Sequence, residues 1–222
     1  MSQTKSTLRK KITKSIRCNY LLHLPESYGR TKKRWPLILF LHGSGERGKN
    51  LELVKTHGIP KIVGQKPEFP FIVVSPQCPE GQWWSMDTLT TLLDAIERKY
   101  RVDKKRIYVT GMSMGGYATW QLANENPGRF AAIAPVCGGG NPHLAYKIKD
   151  LPIWVFHGAK DDCVPISESR EMVSALRKLK GKVRFTVYPQ TDHDSWTQTY
   201  ANKGLYEWLL SHRQGLGAKS RG

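Results

Sequence analysis

Seven apolar runs alternate with polar and amphipathic stretches along the chain. Most of them are continuous and rich in Ile, Val, Leu and Phe, as strands covered on both faces are in a parallel sheet. We therefore predict strands over Asn19–Leu24, Leu37–Leu41, Phe71–Ser75, Arg106–Thr110, Ala131–Val136, Ile153–Phe156 and Val183–Tyr188.

Helical periodicity appears between these runs. Apolar residues form one stripe along Thr88–Tyr100 and along Ser167–Leu179, where Ser167 is a candidate N-cap, and further helices are predicted at Tyr117–Asn124 and Tyr200–Ser211. Strands that alternate with helices predict an α/β protein with a mostly parallel sheet and helices on both faces. Such sheets bind ligands beyond the carboxyl ends of their strands, so the chemistry is expected there.

Composition divides the 222 residues into one large domain with basic ends. We expect a flexible basic arm over residues 1–17, a single domain over 18–212 and a tail over 213–222. Of the formal net charge of +17, +9 lies within residues 1–35 and +3 within 201–222. Because the excess charge is mostly terminal, nucleic-acid binding is not expected as the main function. Binding of polyanions through the arm remains the less favoured alternative.

The four cysteines, Cys18, Cys78, Cys137 and Cys163, form no CxxC pair and give no disulfide framework. We expect free thiols in a reducing compartment. The first 17 residues contain no apolar core of a signal peptide, and no apolar run reaches the 18 residues that a membrane span needs. These features favour a cytoplasmic location, with a previously removed leader left open.

The segment Gly111-Met112-Ser113-Met114-Gly115 is a GxSxG motif that follows a predicted strand and precedes a predicted helix. In this context the serine sits on a sharp turn that projects its hydroxyl from the sheet. The flanking glycines let neighbouring backbones approach closely. The motif therefore predicts Ser113 as a catalytic nucleophile.

A nucleophilic serine needs a base and an orienting acid. Two carboxylates, Asp161 and Asp162, follow the strand Ile153–Phe156, and His193 follows the last strand. The order serine, acid, histidine is the order of the α/β-hydrolase fold. The sequence thus predicts a triad of Ser113 and His193 with one of the two aspartates.

The loop His42–Gly48 follows the most apolar strand and is rich in glycine. The backbone N–H groups of Ser44 and Met114 are predicted to form an oxyanion hole. A phosphate-binding loop is the alternative, but the chain has no GxxxxGK[ST] pattern at this place.

Several segments resemble the small α/β-hydrolase esterases related to polyhydroxybutyrate depolymerases, feruloyl esterases and "predicted peptidase" carboxylesterases. Dienelactone hydrolases and acyl-protein thioesterases are more distant likenesses. The resembling segments are Pro36–Gly48, Ser75–Trp84, Val109–Gly116, Trp154–Pro165 and His193–Trp196. The resemblance implies the same roles for Ser113, His193, Ser44 and Met114. It also selects Asp161 over Asp162, because the acid of this family begins a D-x-x-V-P pattern.

The expected activity is hydrolysis of short-chain or aromatic-acid carboxylic esters through an acyl-enzyme on Ser113. The substrate would be a small molecule or a polymer end, because only the short segment Cys137–Pro152 is available as a lid. A peptidase or amidase with the same triad is the alternative. No cofactor is implied, and the sequence does not indicate an oligomeric state.

Aromatic and histidine residues complete the candidate site. Trp84 and Trp196 are predicted substrate contacts, since indole rings supply flat apolar walls. His42 and His157 are expected to hold loop backbones rather than to react. Asp192-His193-Asp194 suggests a metal site, but the triad uses His193 more economically, so no metal is predicted.

Overall fold

The computed structural model of the protein describes residues 3–66 and 68–215. Its centre is a seven-stranded sheet with the order β1-β3-β2-β4-β5-β6-β7. Strand β1 pairs antiparallel with β3, and the other neighbours pair in parallel. The predicted α/β fold with a mostly parallel sheet is therefore confirmed.

Each predicted strand corresponds to one strand of the sheet. The strands are β1 Tyr20–His23, β2 Trp35–Leu41, β3 Ile72–Pro76, β4 Val102–Met112, β5 Ala132–Val136, β6 Ile153–Gly158 and β7 Val183–Tyr188. Strand β4 begins four residues earlier than predicted, because Val102 pairs with Trp35 across a register shift. The residues between Val102 and Ile107 are polar, so the sequence showed no apolar run that would predict this extension.

The described residues contain six α-helices, four between strands and two after β7. They are α1 Gly58–Val63, α2 Met86–Lys99, α3 Met114–Glu125, α4 Ser167–Lys178, α5 Ser195–Ala201 and α6 Lys203–Ser211. The six residues of α1 are too few to show a helical period, and this helix was not predicted. The predicted helix Tyr200–Ser211 is divided at Asn202, whose side chain accepts a hydrogen bond from the Gly204 N–H and caps α6.

The N-cap prediction for Ser167 is wrong. Ile166 occupies the position before α4 in a helical conformation, and no side chain caps this end. The Glu168 N–H bonds to the Pro165 carbonyl instead, so the preceding turn satisfies it.

Two apolar layers cover the two faces of the sheet. Helices α2, α3 and α4 pack on one face through residues such as Leu93, Trp120 and Met172. Helices α1, α5 and α6 cover the other face through residues such as Ile59 and Leu205. Each parallel strand consequently ends between two helical layers, at the edge where the site was expected.

The terminal regions bear on the predicted domain limits. Residues 3–19 contain no helix or strand, although Lys14 forms an ion pair with Asp87 at 2.8 Å. Most of the predicted tail, residues 216–222, lies outside the described residues. Within the described ranges, no helix combines the length and apolarity needed to cross a membrane.

Candidate active site

Ser113 lies at the sharp turn between β4 and α3. Its backbone has φ 53° and ψ −118°, a conformation that side-chain-bearing residues rarely adopt. The Ser113 N–H donates to the carbonyl of Val136 at 3.0 Å, which ties the turn to the end of β5. Such local strain is held by surrounding structure and is typical of functional sites.

The glycines of the motif allow backbones to meet at this turn. A Cβ atom on Gly111 would lie 2.7 Å from the Leu41 carbonyl oxygen and would also collide with the backbone of Gly115. A Cβ atom on Gly115 would collide with the Leu41 carbonyl oxygen. Only glycine at both positions lets α3 begin directly against the end of β2.

His193 and Asp161 complete a hydrogen-bonded chain with Ser113. The His193 Nε2 atom lies 3.0 Å from Ser113 Oγ, and His193 Nδ1 lies 2.8 Å from Asp161 Oδ2. Because a carboxylate only accepts, Nδ1 carries the proton, and Nε2 is left to accept from the serine hydroxyl. The structure thus brings together three of the predicted site residues in the arrangement of a serine hydrolase triad.

The neighbouring carboxylates differ sharply in environment. The Asp161 side chain is completely buried, and its Oδ1 accepts hydrogen bonds from the N–H groups of Cys163 at 3.0 Å and Val164 at 2.8 Å. Asp162 is exposed to solvent and lies outside this network. The geometry therefore favours Asp161 over Asp162, as the resemblance implied.

His157 is a second histidine on the carboxylate of Asp161. Its Nε2 lies 3.1 Å from Asp161 Oδ2 and 2.9 Å from the Val164 carbonyl oxygen, while Nδ1 lies 2.8 Å from Ser169 Oγ. Burial lowers the pKa of His157, while the Val164 carbonyl and the Asp161 carboxylate oppose that change. The ring holds loop backbone, as expected, but also positions Asp161. The only sequence signal was its place four residues before Asp161.

The two proposed oxyanion donors each begin a helical segment. Ser44 is the first residue of a 3-10 helix that runs to Glu46, and Met114 is the first residue of α3. The N–H of a first helical residue has no partner within its helix, so both groups are available to a ligand. A Cβ atom on the preceding Gly43 would lie 3.7 Å from Ser113 Cβ, which puts the loop beside the nucleophile.

His42 supports this loop from inside the protein. It is fully buried, its Nδ1 lies 2.6 Å from the Gly43 carbonyl oxygen, and its Nε2 accepts from the Cys78 N–H at 3.0 Å. Burial lowers the pKa of His42 to about 4, so the ring is neutral near pH 7. His42 thus holds backbone, as the sequence analysis expected.

Trp84 and Trp196 lie in different surroundings. Trp84 is 8% exposed, packs on His42 with 4.7 Å between ring centroids, and helps to line a cavity of about 400 Å³ with Trp83 and Tyr117. Trp196 instead meets His193 edge-on, with centroids 5.2 Å apart. Of the two predicted substrate contacts, Trp196 touches the triad histidine and Trp84 lines the cavity.

Cys137 follows β5 and lies next to the triad, a neighbour that the sequence analysis did not single out. Its sulfur and ligand atoms of Asp161 and His193 are within 4.8 Å of one another. Burial raises the pKa of the Cys137 thiol to about 12, whereas a metal requires the thiolate. The donor set therefore does not fit a metal ion, and Asp161 and His193 already bond to each other.

Known proteins resemble this chain over most of its length. It is 28% identical over 181 residues to a bifunctional acetylxylan esterase/xylanase XynS20E of Neocallimastix patriciarum, a match covering 78% of the chain and 26% of that protein. It is 29% identical over 176 residues to a probable feruloyl esterase C of Aspergillus terreus, a match covering 73% of the chain and 62% of that protein. The chain thus spans less than two thirds of either relative.

A solved structure of a thermostable esterase superimposes with a TM-score of 0.74 and 36% sequence identity, covering 87% of this chain and 59% of that one. The profile of the dienelactone hydrolase family matches residues 82–204, which include Ser113, Asp161 and His193. These findings confirm the resemblance to α/β-hydrolase esterases, although the matching profile is that of a group expected to be more distant. The chain belongs to the dienelactone hydrolase family.

Proposed function

We propose that the protein is a serine carboxylesterase with Ser113 as nucleophile, His193 as general base and Asp161 as orienting acid. The observation that carries the proposal is the continuous hydrogen-bonded chain from Ser113 Oγ through the imidazole of His193 to the buried carboxylate of Asp161. The esterase relatives support the reaction class.

The mechanism follows from the positions of these atoms. His193 Nε2 takes the proton from Ser113 Oγ as the oxygen attacks the ester carbonyl, and Asp161 stabilises the imidazolium that forms. The N–H groups of Ser44 and Met114 stabilise the oxyanion, with help from the positive end of the α3 dipole. His193 then protonates the departing alcohol, and water repeats the sequence on the acyl-enzyme.

The acyl group is proposed to be short or aromatic. A cavity of about 400 Å³ is lined by Trp83, Trp84 and Tyr117, whose rings fit a flat apolar group, and Tyr117 lies one helical turn after Ser113. Relatives described as feruloyl and acetylxylan esterases agree with an aromatic acid and a short acid, respectively. A small molecule or the end of a polymer would serve as substrate.

Ester turnover by purified protein tests the proposal. We expect a methyl ester to be hydrolysed with a kcat/KM at least ~10³-fold above that of the matching methyl amide, because alcohols leave more readily than amines. Ser113→Ala should lower kcat by ~10⁴–10⁶ and abolish labelling by a fluorophosphonate probe. Comparable rates on ester and amide would instead indicate a peptidase, and a variant within tenfold of the parent would remove Ser113 from the mechanism.

A further inference from the structure

The described part of the basic arm, residues 3–17, carries cations and no anion. The first acidic residue of the chain is Glu26, and the cations of the arm are Lys5, Arg9, Lys10, Lys11, Lys14 and Arg17, all exposed. Within residues 3–66 and 68–215, only Lys14 among these cations forms an ion pair. The arm therefore presents most of its charge to solvent, where an anionic partner can reach it.

Two large apolar side chains lie among these charges. Leu8 is 89% exposed and Ile12 is 82% exposed, so neither packs against the domain. They are four positions apart, and they therefore project to the same side of the arm whether its backbone is extended or helical. Exposed apolar residues flanked by cations are typical of segments that lie on a membrane surface.

The end of the arm is attached beside the cavity that Trp83 lines. Lys14 Nζ lies 2.8 Å from Asp87 Oδ2 in the first turn of α2, and Asp87 is four residues after Trp83. Ile16 lines a small groove together with Asp87 and Glu125, and Glu125 also lines the cavity of Trp83. The part of the arm that precedes Lys14 therefore extends from a point next to the rim of that cavity.

Trp83 gives this rim an exposed aromatic side chain. It is 65% exposed, whereas the neighbouring Trp84 is only 8% exposed. An indole ring combines an apolar body with a polar N–H group, which suits the boundary between lipid chains and headgroups. The arm and the rim therefore offer a membrane two kinds of contact at adjacent places on the surface.

We propose that the basic arm binds the surface of a bilayer that contains anionic lipid, with Leu8 and Ile12 inserted and the Trp83 rim turned towards the membrane. The inference goes beyond the proposed esterase function, because it does not depend on turnover. Each cation that approaches the anionic headgroups raises the affinity by about fivefold. Nucleic acid would attract the same cations, but residues 3–17 contain no aromatic side chain to stack on bases, and Leu8 and Ile12 would gain no apolar contact.

Sedimentation of the full chain with lipid vesicles tests the proposal. The vesicles are phosphatidylcholine alone or phosphatidylcholine with about 30% phosphatidylserine, in about 0.15 M salt. The parent should bind the anionic vesicles at least ~10-fold more tightly than the neutral ones. Lys10→Gln with Lys11→Gln should weaken that binding by about 25-fold, the product of two fivefold losses. Lys32→Gln with Lys178→Gln removes the same charge from exposed positions outside the arm and is the matched control, expected to change binding by less than ~3-fold.

A second variant distinguishes lipid from nucleic acid. Leu8→Ser with Ile12→Ser keeps every charge, so it should weaken binding to anionic vesicles by about tenfold and leave the affinity for a DNA duplex unchanged. Brominated lipid in the vesicles should quench the tryptophan fluorescence of the bound parent. Because Trp83 is the exposed indole at the rim, Trp83→Phe should remove most of that quenching.

Several results would refute the inference. Equal binding of the parent to neutral and anionic vesicles would remove the lipid charge from the interaction, and equal losses in the arm variant and its control would reduce it to net charge. Vesicle binding that ignores Leu8→Ser with Ile12→Ser, together with tighter binding to DNA, would make nucleic acid the partner. Quenching that survives Trp83→Phe would contradict the proposed orientation. All four arm positions are exposed, so the arm variants should fold normally, and ester turnover in the absence of vesicles should equal that of the parent.

Discussion

Replacing Asp161 by Asn tests the acid of the triad more sharply than its removal would. The carboxylate accepts from the N–H groups of Cys163 and Val164 on Oδ1 and from the ring of His193 on Oδ2, and His157 Nε2 lies 3.1 Å from Oδ2. Asparagine keeps the shape but turns one of these acceptors into an NH₂ donor. Because Oδ1 faces two fixed backbone donors, we expect the amide oxygen to stay there and the NH₂ group to face His193.

That orientation reverses the tautomer of His193. Facing a donor, Nδ1 must accept, so the proton moves to Nε2, where it blocks abstraction of the Ser113 proton. The expected loss in kcat is ~10³–10⁴, equivalent to about 4–5.5 kcal/mol of transition-state stabilisation. Ester hydrolysis at saturating substrate measures it, with the urea midpoint recorded in parallel. Asp162→Asn, one residue away and exposed, is the matched control and should cost less than tenfold.

Two outcomes would refute this reasoning. If Asp162→Asn caused the larger loss, the acid would be assigned to the wrong residue. If Asp161→Asn retained activity within tenfold but unfolded at much lower urea, the amide would have chosen the opposite orientation. Its NH₂ group would then oppose the N–H groups of Cys163 and Val164, at a cost of about 1–3 kcal/mol for each unpaired donor.

Two further predictions concern stability. Gly115→Ala should lower the free energy of unfolding by about 3 kcal/mol, because the new Cβ collides with the Leu41 carbonyl, whereas Gly29→Ala, with open space around it, should change it by less than ~0.5 kcal/mol in urea titrations. If Gly115→Ala left the free energy of unfolding unchanged, α3 would be able to shift and relieve the collision without an energetic cost. His42 should make the fold acid-sensitive: its folded pKa of about 4 lies below the unfolded value of 6.5, so its contribution is full above pH 6.5 and is lost towards pH 4, about 3 kcal/mol in all. Urea midpoints at pH 7 and pH 4.5 should therefore differ less in His42→Asn than in the parent, and equal differences would contradict the pKa.

Much of the sheet and triad could be predicted because the informative residues follow strands. Parallel strands end at one edge, so residues placed after β4, β6 and β7 meet there even though Ser113 and His193 are 80 positions apart. Continuous apolar runs defined those strands because both faces are buried. Among the residues that follow these strands, the GxSxG motif identified Ser113 as the predicted nucleophile.

Features that depend on tertiary contacts were not predicted. Helix α1 is only six residues long, and its Ile59 is buried in an apolar cluster formed with residues that are distant in sequence. The break at Asn202 arises from a local cap within an otherwise continuous apolar pattern. His57 and Trp196 are 139 positions apart and carry no shared motif, so only the folded structure brings their rings into contact.

The strained turn at Ser113 also has a consequence for folding. Its backbone conformation costs about 1–3 kcal/mol and is held by the carbonyl of Val136 and by the packing of Gly115 against Leu41. These partners come from β5, α3 and β2, so the loops between them must close before the strain can be borne. A collapsed intermediate that retains its helices but not this docking therefore lacks the reactive geometry. The proposed ester turnover requires these contacts, so we expect it to return during refolding only after β2, β5 and α3 have packed together.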